Sequence, residues 1–289
     1  MPHSLEGHAT FKLAMCQIAT EQWAVDANFQ RTIAALEQAG QRRAHLAITP
    51  ECVLTGYGDH DQKKQFPRLR ETAERLDGPR LTKIKQIAAQ YSMHVVIGLS
   101  ERGEGDRVHN SAVFISERGE IVYVYRKVHC RFFEDDGREG CFTAGNEFFV
   151  TPRRLGSADV NVGTLICFDR EVPESMRCLR AKGAQFIACP LATDTERLDS
   201  PSAVANNEMV TRVRAAENEV FIAVVNHARR FNGGSFVVGP YGEILHQMDK
   251  DEGVAFVDVP VSVVAEKYHA NPLGWMGWGY RRPDVYRGV

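Results

Sequence analysis

The chain lacks most of the features that announce a protein class. Seven cysteines are present, at positions 16, 52, 130, 141, 167, 178 and 189, yet no Cys-x-x-Cys pair occurs among them. That spacing gives no support to a zinc ribbon or a thioredoxin-like redox centre. The odd, irregularly spaced set reads as free thiols in a reducing compartment. No basic tract is visible and the formal net charge is −2, which argues against nucleic acid or an acidic membrane surface as partner. The longest apolar stretches, HVVIGLS and EVFIAVVNHA, are far too short to span a bilayer. The start, MPHSLEGHATFK, has no charged segment followed by an apolar one, so it does not read as a signal peptide. Residues 1–10 are expected to be a flexible tail, and the cytoplasm is the default location. Low-complexity segments, long linkers and tandem repeats are missing as well.

What is present is an ordinary soluble composition. The 289 residues are 44% hydrophobic and 25% charged, enough chain to bury a sizeable core. Short apolar runs alternate with amphipathic segments. FKLAMCQIA, HLAITPE, HVVIGLSER, DVNVGTLICFD, AQFIACPLA, VFIAVVNHA and GVAFVDV read as strands. NFQRTIAALEQAGQRR has helical spacing, with Asn28 or Asp26 available as a cap. GPRLTKIKQIAAQYS and PESMRCLRAKG open with proline in the first turn, and SAVANNEMVTRVRAAENE is a further helix. HNSAVFISERGEIVYVYRK and GGSFVVGPYGEILHQM read as hairpins turned at glycine. Strand–helix–strand units mixed with hairpins predict mixed sheets. The strands are too many for one comfortable sheet, and two sheets with helices outside both would bury them all. Residues 11–289 are read as one domain, ending in an irregular aromatic tail from about 261 to 289 that wraps or packs against a neighbour.

Three reactive groups sit at strand ends, where ligands gather in α/β sheets. Glu51 ends LAITPE, Lys127 ends IVYVYRK and Cys167 ends GTLIC. A free thiol has a pKa of about 8.5 and is mostly protonated at neutral pH. A helix starting near Pro173 and the Lys127 ammonium would each lower it. Glu51 would take the thiol proton and later activate water. Lys127 and the Phe168 amide would hold the oxyanion of a tetrahedral intermediate. Each residue also has a plainer role open to it: Glu51 as a solvated loop acid, Lys127 as a strand-end cation, Cys167 as core. His129 lies two positions past Lys127 and would share its face on a continuing strand, so a Cys–His pair remains an alternative. His227, beside Asn226, reads as structural. A redox switch would need a resolving thiol near Cys167, and Cys178 is near only in sequence.

PECVLTGYG around Glu51, YRKVH around Lys127 and LICFDREVPES around Cys167 resemble the three signature regions of the nitrilase superfamily of carbon–nitrogen hydrolases. RAAENEVFIAVVN, GSFVVGPYGEIL and RRPDVY resemble further recurring segments, in order, over roughly Phe11 to Tyr286. The resemblance implies a four-layer αββα sandwich, a Glu–Lys–Cys centre, no metal or organic cofactor, and homodimers or larger assemblies built from them. It also implies a second glutamate between lysine and cysteine. Glu139, just before GCFTAG, is the first choice and Glu134 the alternative, the loop being one residue shorter than the common pattern. True nitrilases carry Trp-Glu-Asn after the cysteine, whereas this chain has Phe168-Asp169-Arg170, closer to the amidase and N-carbamoyl hydrolase branches. Phe168 and His129 are then expected to line the substrate pocket. Arg170 is a candidate clamp for a substrate carboxylate, set against a structural salt bridge. Asp194, in CPLATDTER, would favour a cationic substrate if it lines the pocket, or else caps a turn. The expected activity is hydrolysis of a small linear amide or N-carbamoyl compound through a thioester, with release of ammonia. A nitrilase, and an inactive member used as an interaction module, are the alternatives.

Overall fold

The computed structural model describes residues 7–58, 62–194, 201–264 and 278–286. Within them the chain forms two six-stranded sheets. The first uses β1 (Phe11–Gln17), β2 (Leu46–Ile48), β3 (His94–Arg102), β4 (Val108–Ile115), β5 (Ile121–Arg126) and β12 (Gly253–Val259), in the order β12-β1-β2-β3-β4-β5. The second uses β6 (Val150–Leu155), β7 (Ala158–Thr164), β8 (Phe186–Pro190), β9 (Phe221–Val225), β10 (Phe236–Val238) and β11 (Ile244–Gln247), in the order β11-β10-β9-β8-β7-β6. Both are mixed, and they share one pattern. β1, β2 and β3 run parallel and then turn antiparallel through β4 and β5. β7, β8 and β9 do the same through β10 and β11. Each sheet is closed by an antiparallel edge strand beside its first parallel strand, β12 on β1 and β6 on β7. The common connectivity leaves no repeat in the sequence.

The period of two along β1 explains the layering. Leu13 and Met15 point into a cluster shared with Phe186, Ala188, Val224 and Phe236 of the second sheet. Ala14 and Cys16 point the other way, onto Ile33 and Leu36 of helix α1 (Val25–Gln41) and Leu81, Ile84 and Ile87 of α3 (Pro79–Tyr91). Phe11 meets Phe186 edge-on at 5.1 Å between ring centroids, fastening the sheets face to face. Beyond the second sheet, α5 (Pro201–Asn218) packs on β9 and β10 and against α4 (Pro173–Ala181). The result is the expected αββα sandwich. Among the described residues no helix is long and apolar enough to cross a membrane.

Several elements depart from expectation. Asn28 does not cap α1, which begins at Val25. It is buried inside the helix, where its amide donates to the carbonyls of Glu21 (2.7 Å) and Leu54 (3.0 Å) and its oxygen accepts from the Glu21 N–H (2.9 Å). The side chain ties the helix to the loop that precedes it and to the loop that follows β2. Helix α2 (Gln62–Thr72) was hidden by its charge and by Pro67 within it, a residue that ordinarily argues against a helix interior. Strand β6 was hidden because its residues are mostly part-exposed and include Pro152, as an edge strand permits. The tail expected over 1–10 and the C-terminal segment expected over 261–289 lie largely outside the described residues.

Candidate active site

Glu51 follows β2 in a tight turn that presses on β3. Gly98 makes this possible: a Cβ there would sit 2.3 Å from the Pro50 carbonyl oxygen and 2.8 Å from the Glu51 Cα. Lys127 directly follows β5. Its Nζ lies 3.0 Å from Glu51 Oε1 and 2.7 and 2.9 Å from the two oxygens of Glu134, and all three side chains are fully buried. Cys167 lies beyond the end of β7, at the first position of a short 3₁₀ turn that runs to Glu171. Its φ of +46° is left-handed, a conformation a side chain adopts only when its surroundings impose it. Asp169 does much of the imposing. Its carboxylate accepts from the Tyr125 hydroxyl (2.6 Å), the Ile166 N–H (3.2 Å) and the His129 N–H (2.8 Å), binding the turn to the segment that carries Lys127. Cys167 is buried, and its sulfur lies 3.7 Å from the Thr193 hydroxyl.

Of the two candidates for the second glutamate, Glu134 is the one that lies on Lys127. Glu139 is exposed on the same loop, and its choice is corrected. Here the loop folds back so that Gly140 packs on the Glu134 backbone; a Cβ at Gly140 would lie 1.9 Å from the Glu134 carbonyl carbon. The glycine beside Glu139 thus makes room for Glu134 to turn inward. Glu134 then accepts from the Tyr57 hydroxyl (2.6 Å) and the Arg131 N–H (2.8 Å) as well as from Lys127.

Charge and burial set the protonation states. Burial raises the Glu51 carboxyl above the ordinary range; Lys127 and hydrogen bonds from Asn110 and Lys127 oppose it, while Glu134 adds to it. For Lys127 burial pulls downward, but Glu134 and Glu51 outweigh it and hold the ammonium well above its usual value. Burial and then the Glu51 carboxylate push the Cys167 thiol up, and Lys127 only partly offsets them. The expected lowering of the thiol fails for this reason: two carboxylates and no solvent surround one ammonium. Both effects favour the protonated thiol. Glu51 Oε1 is held by Asn110 Nδ2 (2.6 Å) and Lys127, while Oε2 is buried with no hydrogen-bond partner.

The other predicted residues fall into two groups. Phe168 directly follows Cys167 and carries the Arg131 guanidinium over its ring at 5.2 Å; Arg131 also covers Phe133 at 5.3 Å. Asp194 lies just past Thr193, where it accepts from Asn232 Nδ2 at 2.8 Å. Arg170 is not a carboxylate clamp. It is buried, and its Nη1 donates to Thr211 Oγ1 (2.8 Å), the Asn207 carbonyl (3.3 Å) and Asn207 Oδ1, fastening the turn to α5. His129 does not share the face of Lys127, because β5 ends at Arg126. Its Nδ1 faces Asp169 Oδ1 and Ser175 Oγ, each at 3.1 Å, and its ring lies beside Phe148. Among the described residues no hydrogen bond joins His129 to Cys167, whose sulfur instead lies near Thr193. Cys178 is exposed whereas Cys167 is buried. Asn110 and Tyr57 were not foreseen. Tyr57 stood in the quoted PECVLTGYG, but Asn110, inside a hairpin strand, carried no local signal.

Comparison with known proteins agrees with this geometry. The sequence model of the carbon-nitrogen hydrolase family matches residues 12–268. Omega-amidase NIT2 of Bos taurus is 25% identical, covering 96% of this chain and 97% of its own length. A nitrilase of Pyrococcus abyssi is 29% identical over 86% of this chain and 90% of its own. A solved amidase of Nesterenkonia AN1, from the nitrilase superfamily, shares the fold with a TM-score of 0.77 at 22% identity, over 97% of each chain. The chain belongs to the carbon-nitrogen hydrolase family.

Proposed function

We propose that the protein hydrolyses a small linear amide or N-carbamoyl compound, using Cys167 as nucleophile, Glu51 as general base and Lys127 as the charge that stabilises the oxyanion. The observation that carries this reading is the fully buried Glu51–Lys127–Glu134 chain together with a buried Cys167 held at a left-handed φ. A buried carboxylate oxygen with no partner, Glu51 Oε2, supplies the acceptor that a protonated thiol needs. Burial raises the Glu51 carboxyl, which makes it a stronger base than a surface carboxylate.

In the first half-reaction Glu51 takes the thiol proton as the sulfur bonds to the carbonyl carbon. The carbonyl electrons move to oxygen, which meets the Lys127 ammonium and the Phe168 N–H. The intermediate collapses, the C–N bond breaks, and Glu51 returns the proton to the departing nitrogen, giving ammonia and a thioester. In the second half Glu51 takes a proton from water, whose oxygen attacks the thioester. The C–S bond breaks, and the proton passes from Glu51 back to sulfur. Lys127 keeps its charge throughout, since the Glu134 carboxylate stays ionised beside it and the oxyanion forms while Glu51 holds the proton. Glu134 keeps Lys127 in place and is itself fixed by Tyr57 and Arg131.

An amide is favoured over a nitrile by Phe168-Asp169-Arg170, which differs from the nitrilase Trp-Glu-Asn. The relatives carry both names, omega-amidase and nitrilase. The test is a panel of amides, N-carbamoyl compounds and matched nitriles assayed for ammonia with wild type and Cys167→Ala. Ammonia from an amide or carbamoyl compound, with at least about a thousand-fold loss in Cys167→Ala, is expected. Turnover confined to nitriles, or full activity without the sulfur, would overturn the proposal.

A further inference from the structure

We infer that His227 is a positioning residue, reaching from the second sheet to hold the Glu51 peptide in the orientation catalysis needs. This rests on the reading of Glu51 as base. Glu51 opens a turn whose next residue, Cys52, has a φ of +49°. The plane of the peptide between them is thus held in a conformation that a non-glycine residue does not choose unaided. Both polar groups of the Glu51 backbone are tied across the sheet interface. Its N–H donates to the Leu191 carbonyl beyond β8 at 3.3 Å. Its carbonyl lies 2.7 Å from Nε2 of His227, just beyond β9.

The tautomer of His227 follows from the partners. A carbonyl only accepts, so Nε2 carries the hydrogen, and in a neutral ring Nδ1 is then an acceptor. The Thr20 hydroxyl, 2.7 Å away, donates to it. The ring is fully buried, and burial, with Arg230 adding to it, pushes the imidazole down to about 3, so it stays neutral at working pH. The ring also lies 5.2 Å from Phe231, which stands 6.1 Å from Tyr57, the phenol on Glu134. Freed from Nε2, the strained peptide can rotate, and the Glu51 carboxylate loses the orientation the proposed proton transfer uses while substrate still binds.

The test compares His227→Leu, which lacks the donor, with His227→Gln, whose amide N–H can replace Nε2–H, and with Thr20→Val, which removes the hydroxyl that fixes the tautomer. In variants whose folding is confirmed by thermal unfolding, His227→Leu is expected to lose about 100-fold in kcat with KM within about three-fold. His227→Gln should recover to within about ten-fold of wild type, and Thr20→Val should fall about ten-fold in kcat alone. A purely structural role predicts equal losses for Leu and Gln; that result, or a His227→Leu enzyme with kcat within about two-fold of wild type, overturns the inference. If His227→Leu does not fold, Thr20→Val decides, and an unchanged kcat there overturns it. Glu51→Gln, measured in parallel, separates the two readings: wild-type turnover in that variant removes Glu51 as base, whereas an inactive Glu51→Gln beside a fully active His227→Leu removes only the clamp.

Discussion

Replacing Glu134 by glutamine should be costly, and replacing Glu139 should not. The Glu134 carboxylate accepts from Lys127 at both oxygens, from Tyr57 at one and from the Arg131 N–H at the other. Glutamine has one accepting oxygen and an amide that can only donate. Whichever way it turns, one of its neighbours faces another donor. The formal charge of Glu51, Lys127 and Glu134 rises from −1 to 0, and Lys127 loses one of its two counter-ions in a site without solvent. Breaking a buried ion pair from one side costs about 3 kcal/mol or more. With an unfolding entropy of about 2.1 cal/mol/K per residue, a chain of this length loses about 5 °C in Tm. Turnover should fall about 100-fold or more as Lys127 shifts. Since Glu134 raises both Glu51 and Cys167, any residual activity should have its acidic limb at lower pH than wild type. Thermal unfolding and ammonia release across pH measure all three. Exposed Glu139 should tolerate glutamine with activity within about two-fold and Tm unchanged. Normal turnover in Glu134→Gln together with loss in Glu139→Gln would refute the reasoning.

Other outcomes follow from the same geometry. Glu51 acts only when ionised, and burial raises it, so kcat/KM should fall as pH drops through a value above the ordinary glutamate pKa of about 4.3; a limb at or below that value would contradict a buried base. Gly98→Ala places a methyl against Pro50 and Glu51 and should cost about 1–3 kcal/mol along with turnover; unchanged melting and activity would mean the turn has room to spare. Arg170→Lys should lower Tm, because a lysine cannot reproduce the bonds to Asn207 and Thr211. The ratio of kcat/KM between carboxylate-bearing and neutral amides should stay within about two-fold, and a large change in that ratio would restore the clamp.

The sandwich was legible because its strands are short, apolar and bounded by glycine or proline, and because β1 alternates so cleanly that each face finds a separate core. Glu51, Lys127 and Cys167 were legible because each follows a strand. What the sequence could not carry is the path of the loops between them. Glu134 and Glu139 share one short acidic loop, and only the approach of Gly140 to the Glu134 backbone decides which carboxylate turns inward. His129 would have faced the site had β5 continued past Arg126; Asp169 captures it instead. Asn110 meets Glu51 only because β4 lies across β3 from it, a pairing invisible along the chain. The lowering of the thiol by Lys127 was legible, but spacing gives neighbours and not burial, and burial, the largest cause, acts the other way.

The central claim is that Cys167 carries the acyl group between two half-reactions. The direct measurement is acid quenching during turnover of an active amide, followed by mass analysis of the peptide containing Cys167. The account predicts a hydroxylamine-labile adduct of the acyl mass on Cys167, absent from the other six cysteines and from Cys167→Ala, whose ammonia release is also lost. Ammonia released at the wild-type rate by Cys167→Ala, or an acyl adduct on another residue in its place, would contradict it.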